Sequence, residues 1–218
     1  MGAEEGKIIA LEGIDGSGKT TQAQRLTQEL IKRGFKVELF RQPGGTELGE
    51  NLRTLLLNYS SISPEGSLPL HPVAELFLFA ADRAQLMYER VIPLLKKGWW
   101  IVLDRGVDSS IAYQGGGRGV NRRWVKVINS YATGNRLPHL TILLDLPVEK
   151  AFARITRKTD RIENNSKAFY QKVRKSYLEL AHQNPHRFVV VDASLPLDQV
   201  FQRIWEAVES RLLHPRES

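Results

Sequence analysis

Eight residues near the amino terminus, Gly13-Ile14-Asp15-Gly16-Ser17-Gly18-Lys19-Thr20, restrict this chain more than any other stretch. They satisfy G-x-x-x-x-G-K-[ST] between an apolar run, Lys7 to Glu12, and an amphipathic one, Thr20 to Arg33. Strand, glycine-rich turn and helix in that order make a phosphate-binding loop. The glycines let backbone N–H groups turn inward around phosphate oxygens, the lysine meets β- and γ-phosphate charge, and the hydroxyl suits Mg²⁺. An ordinary glycine-rich turn is the plainer alternative, and the flanking strand and helix argue against it. Gly13 to Thr20 are therefore expected to bind the phosphates of a nucleoside triphosphate.

Further runs extend the pattern. Val37 to Phe40, Trp99 to Leu103, Leu140 to Leu144 and Phe188 to Val191 are short and almost continuously apolar, as strands covered on both faces are. Amphipathic stretches separate them: Thr20 to Arg33 sets Ala23, Leu26, Leu30 and Ile31 on one face and stops at Gly34, and Leu197 to Leu213 repeats the period with Val200, Ile204, Trp205 and Val208. Alternation of this kind predicts the α/β class, a three-layer α/β/α arrangement around a five-stranded parallel sheet. No internal repeat or linker divides residues 1–218, which are read as a single domain, with Ser60 to Pro69 as a surface loop.

No apolar run reaches membrane-spanning length and the first residues do not resemble a secretory signal, so a cytosolic protein without membrane contact is expected. There are no cysteines, which removes disulfide and thiolate chemistry. The net charge of +7 is concentrated: Lys150 to Arg187 holds ten Lys/Arg against three Asp/Glu. A local cluster beside a phosphate site suits a small polyanion better than a duplex, and no groove-reading element accompanies it. A guanine-specific N-K-x-D element and helicase-type paired motifs are also missing, which favours small-molecule kinases. A nucleic-acid-stimulated ATPase and a scaffold that has lost catalysis remain as rivals; Lys19, Thr20, Asp104 and Arg105 argue against the second.

Six blocks in order then carry a resemblance: LEGIDGSGKTTQ, RQPGGT at Arg41 to Thr46, FLFAADRAQL at Phe77 to Leu86, VLDRGVDSS at Val102 to Ser110, AYQGGGRG at Ala112 to Gly119, and DRIE at Asp160 to Glu163. Over nearly its whole length the chain resembles the thymidylate kinases, P-loop nucleoside monophosphate kinases. The resemblance implies ATP and thymidine monophosphate (dTMP) as substrates, dTDP and ADP as products, Mg²⁺ as cofactor, and a homodimer. Another monophosphate or a deoxynucleoside as acceptor is the nearest alternative. For an interface, the apolar segment Val73 to Leu95 is available.

Residue by residue, the resemblance gives Lys19, Asp15, Arg105, Arg154 and Arg157 catalytic roles, and Thr20 and Asp104 the metal; Asp104 could otherwise cap a helix. Arg53 and Arg105 would hold the acceptor's phosphate, although either alone could be a surface residue. Phe79 would stack on thymine, unless it is core, and Arg83 would donate to the base carbonyl. Ser109 and Gln114 would complete the base contacts, Tyr113 would lie against the sugar, and Asp15 would place the acceptor's 3′-hydroxyl. Gly115-Gly116-Gly117 reads either as a close backbone approach or as a mobile loop. A short helical lid is expected at about 154–163, with Arg154, Arg157, Lys158 and Arg161 as candidate charges, or as a solvated helix face. Two departures stand out. Gly16 replaces an arginine that some members carry in the loop, and Gln42 replaces the usual glutamate, which puts a metal or lid role there in doubt.

Overall fold

The computed structural model describes residues 5–62, 68–155 and 161–214. Five strands, β1 Ile8–Glu12, β2 Val37–Arg41, β3 Trp100–Asp104, β4 Leu140–Asp145 and β5 Phe188–Asp192, form one sheet. All pairings are parallel, in the order β2-β3-β1-β4-β5. Each run expected as a strand is one, within a residue of its expected bounds.

Helices surround the sheet: α1 Lys19–Lys32, α2 Glu47–Ile62, α3 Pro72–Leu86, α4 Ile92–Leu95, α5 Val107–Ser110, α6 Arg122–Ala132, α7 Val148–Arg154, α8 Lys167–Gln183 and α9 Leu197–Val208. Wider π-helical turns at Met87–Val91, Ile111–Gly117 and Glu209–Leu213 lead on from α3, α5 and α9. The periodic segment Leu197 to Leu213 is thus continuously helical. Helix α2 runs through residue 62, so residues 60–62, expected in a surface loop, are helical; residues 63–67 lie outside the described residues.

The apolar strands are covered on both sides, as their composition requires. Ile9 and Leu11 join the larger core with Ala23, Leu26 and Leu30 of α1 and Val200 and Ile204 of α9. Ile8 and Ala10, alternating with them along β1, join a second cluster with Leu86, Met87, Val91 and Leu95. Alternate side chains of one central strand therefore reach two cores, which is the three-layer α/β/α arrangement.

Register brings the chemistry to one edge. Leu11 and Arg41 both pair with Asp104, so β1, β2 and β3 end side by side and their loops open at the carboxyl edge of the sheet. Behind that edge Arg187 grips Asp108 of α5 through two bonds of 2.8 Å and donates to Thr141 at 3.0 Å. Buried at both ends, this pairing fixes the short helix that carries Ser109 and Ser110.

Candidate active site

The glycine-rich turn leaves β1 and enters α1 as expected. Lys19 is buried, and its Nζ donates back to Ile14 O at 2.8 Å. Burial holds its pKa down at about 8, helped by Arg105 and opposed by Asp15, Asp104 and Glu12. Thr20 Oγ1 donates to Asp104 Oδ2 at 2.5 Å. Asp104 thus faces the first turn of α1 and caps no helix. Ser17 Oγ is buried and has no partner among the described residues, as a hydroxyl in a loop shaped for another ligand would be.

Arg105 follows β3 with φ 72°, an uncommon conformation for a side-chain-bearing residue. Its N–H donates to Leu11 O at 3.0 Å, and the next N–H, of Gly106, to Glu12 Oε1 at 2.8 Å. So turned, the guanidinium pairs with Asp15 and reaches Gly13 O at 3.2 Å. Asp15 also accepts from Tyr113 Oη at 2.9 Å and Tyr170 Oη at 2.8 Å. Burial alone would raise the Asp15 pKa, but Arg105, Lys19 and the two hydroxyls hold it well below the usual carboxylate range. Arg105 is no surface residue; its side chain is 18% exposed.

Glu12 ends β1 beneath this pair. It is wholly buried, and burial together with Asp108 raises its pKa. Its carboxyl accepts from Ser109 N at 3.1 Å, Ser109 Oγ at 2.6 Å and Tyr177 Oη at 2.8 Å. Ser109, expected among base contacts, is held at this end of the cavity; Ser110 is the serine that touches Arg83.

Arg83 sits in α3 at 2% exposure. Nε donates to Gln42 Oε1 at 3.0 Å, Nη1 to Ser110 Oγ at 3.1 Å and to Asn129 Oδ1, and Nη2 to Gly106 O at 3.1 Å. None of these partners is a carboxylate, and desolvation lowers its pKa. Phe79, four residues earlier, is half-buried; it lines the cavity and belongs to neither hydrophobic core. Arg53 of α2 donates from Nη1 to Pro43 O at 2.9 Å. Gln114 donates to Glu75 Oε1 at 2.8 Å. The glycine run after it is packed, not loose: a Cβ on Gly117 would lie 2.4 Å from Phe169 Cε2 of α8.

One cavity of about 430 Å³ is lined from Lys19, Thr20 and Asp104 at one end, past Asp15, Arg105 and Tyr113, to Phe79, Arg83 and Gln114 at the other, with Arg53 on its wall. Of the expected lid, Arg154 ends α7 exposed, and Arg157 and Lys158 lie outside the described residues. Arg161 turns to α2 and α3. Its Nη1 pairs with Glu75 Oε2 at 2.8 Å and its Nε donates to Leu56 O at 2.8 Å.

Comparison with known proteins follows the same outline. The family model for thymidylate kinase matches residues 11–204. The thymidylate kinase of Thermoanaerobacter sp. (strain X514) is 41% identical over 209 residues, covering 95% of this chain and all of its own. That of Desulfosudis oleivorans is 43% identical over 211 residues, 93% of this chain and 96% of its own, and that of Deinococcus radiodurans 40% over 209, 95% and 98%. The chain belongs to the thymidylate kinase family.

Within that family reading, Asp15, Lys19 and Thr20 of the motif line one cavity with Arg53, Arg83 and Arg105, while Arg154 is not among its lining. What sequence reasoning passed over is their support. Glu12 had a visible mark, a charge closing an otherwise apolar strand just before the loop. Tyr170 and Tyr177 lie seven apart on α8, a spacing that any buried helix face shows. Asn129 and Glu75 carried no mark at all.

Proposed function

We propose that this protein transfers the γ-phosphoryl group of ATP to thymidine monophosphate, giving dTDP and ADP for dTTP synthesis. The observation that carries this reading is the single cavity joining the Gly13 to Thr20 loop to Phe79, Arg83 and Gln114, in a chain of the thymidylate kinase family.

An oxygen of the acceptor's phosphate attacks the γ-phosphorus while the bond to the β–γ bridging oxygen breaks and ADP departs. That oxygen is already anionic near neutral pH, so no base has to take a proton. Asp15, held ionised by its partners, serves placement: it would receive the acceptor's 3′-hydroxyl among Tyr113, Tyr170 and Arg105. Lys19 and the loop amides take the triphosphate. Arg105 and Arg53 take the acceptor's phosphate, and Tyr113 lies against the sugar. Phe79 stacks on the base, with Arg83 and Gln114 as its polar contacts, while Ser109 stays tied to Glu12 at the other end. Arg154 and Arg157, from a lid at about 154–163, supply charge to the transferring group. The whole of 1–218 acts as one domain.

Thr20 and Asp104 would hold Mg²⁺. Hydroxyl and carboxylate, 2.5 Å apart at the head of α1, are the hard oxygen donors that this ion prefers. Bound there with ATP, it neutralises charge on the β- and γ-phosphates.

A cytosolic homodimer belongs to the same reading. Val73 and Phe77 on α3, Tyr88 beyond it, and Trp124, Val127 and Tyr131 on α6 leave an exposed apolar face that a second copy would cover. No helix among the described residues is long and apolar enough to cross a membrane.

A coupled assay of ADP release across dTMP, dUMP, UMP, CMP, AMP and GMP tests the activity. The expected outcome is the highest kcat/KM with dTMP. Preference for AMP or CMP would overturn the acceptor assignment, and ADP release indifferent to every monophosphate would replace a kinase by a hydrolase.

A further inference from the structure

Asp82 has no partner that phosphate transfer or base recognition calls for. It precedes Arg83 on α3, is wholly buried, and accepts from Gly44 N–H through Oδ1 at 2.7 Å. Its other oxygen, equally buried, meets no donor among the described residues. Gly49 of α2 makes this seat possible: a Cβ there would lie 2.8 Å from Asp82 Oδ1 and 2.9 Å from Gly44 O. The turn that Asp82 holds, Gln42 to Gly45, receives Arg53 at Pro43 O and Arg83 at Gln42 Oε1. Two cavity arginines therefore rest on backbone and side chain that one carboxylate secures.

We propose that Asp82 is a positioning residue: its carboxylate clamps the Gln42 to Gly45 turn through Gly44 and so sets Arg53 and Arg83 for the acceptor. The proposal rests on the reading of this end of the cavity as the acceptor site.

A buried carboxylate with one oxygen unpaired is a poor device for stabilising a fold. The charged groups facing it are Arg83 on its own helix and Glu50 and Arg53 on α2; Glu50 is itself paired with Arg41 at 2.8 Å. Burial pushes the Asp82 pKa up to about 6, against the pull of Gly44 N–H and Arg83. Because the folded value exceeds the unfolded 3.8, the native state binds more protons between those limits, and stability falls as pH rises through them. Asparagine has the shape of the protonated acid and no charge. Asp82→Asn should accordingly gain or keep stability near neutral pH while holding the turn less firmly.

The wild type is first assayed against the monophosphate panel, and D82N is then compared with it on the preferred acceptor. The acceptor KM is expected to rise about 5- to 20-fold in D82N, as when a charge-assisted bond becomes neutral, with the KM for ATP changed less than about twofold. The wild-type advantage in kcat/KM should shrink towards unity below about pH 5.5, which also cancels any titration of the substrate itself, and the variant's Tm at about pH 7.5 should not fall. Equal rises in both KM values, or an advantage independent of pH, would overturn the proposal. Amide exchange at Gly44 gives a readout without turnover: faster exchange in D82N is expected, and unchanged protection refutes the clamp. A wild type that uses no monophosphate would refute the acceptor reading instead, with Gly44 exchange still deciding the clamp.

Discussion

The Lys19 ammonium donates to Ile14 O of its own loop. A polyanion favours the charged lysine, and the free protein holds that pKa at about 8, so ATP binding should draw in protons as pH rises through 8. Calorimetry in buffers of different ionisation heat should show this uptake at about pH 8.5 and not at about pH 6.5. Replacing the residue, Lys19→Ala, should lower kcat more than about 100-fold, roughly 2.7 kcal/mol of transition-state stabilisation, in the coupled assay. A near-normal rate would contradict its phosphate role. Lys19, Thr20 and Asp104 were legible in sequence because one local motif and a strand end place them. Glu12 and Tyr170 act through space across 97 to 155 positions of chain, on Ser109 and Asp15, and no local pattern records such a pairing.

At the scale of elements, the glycine at position 16 has a structural cause. Its φ is 80°, and a Cβ there would lie 2.6 Å from Ala151 O of α7. Backbone of α7 fills the space that an arginine of the loop would need, so this chain must find that charge elsewhere. Gly16→Ala should both strain the loop and press on α7, at a cost of about 1–3 kcal/mol. A Tm lowered by several degrees and ATP binding weakened about tenfold or more are expected, by thermal melt and nucleotide titration. Unchanged binding would mean that α7 yields. Strand runs and α1 could be read from their periods because burial on two faces or one face writes a period. The wide turn at Ile111–Gly117 could not: it keeps the helical look of its neighbours, and only the packing of Gly116 and Gly117 against Ser176 and Phe169 distinguishes it from a loose glycine run.

For the whole molecule, the exposed face of α3 and α6 is the feature that the fold leaves unfinished. Phe77 is 56% exposed and Tyr131 88%. Charge placed at the centre of such a face should abolish pairing of copies: Phe77→Glu is expected to shift the protein from dimer to monomer by light scattering at micromolar concentration, without loss of helical content. A wild type that is already monomeric would refute the dimer. The sequence showed an apolar segment from Val73 to Leu95 but could not say which side of it faced inward, since Leu76 and Leu86 go to the cores and Val73 and Phe77 to the outside.

At this scale Glu75 is a meeting point for distant parts of the chain. Gln114 from the wide turn, Arg118 just beyond it, and Arg161 from the opposite wall all donate to its two oxygens. Two segments distant in the chain, one around residues 114–118 and one at 161, thus share the lone pairs of a carboxylate on a third, and a donor leaving from one side changes what the other can reach. The orientation of the amide at residue 114 and the seating of residue 161 are, in that sense, a single variable.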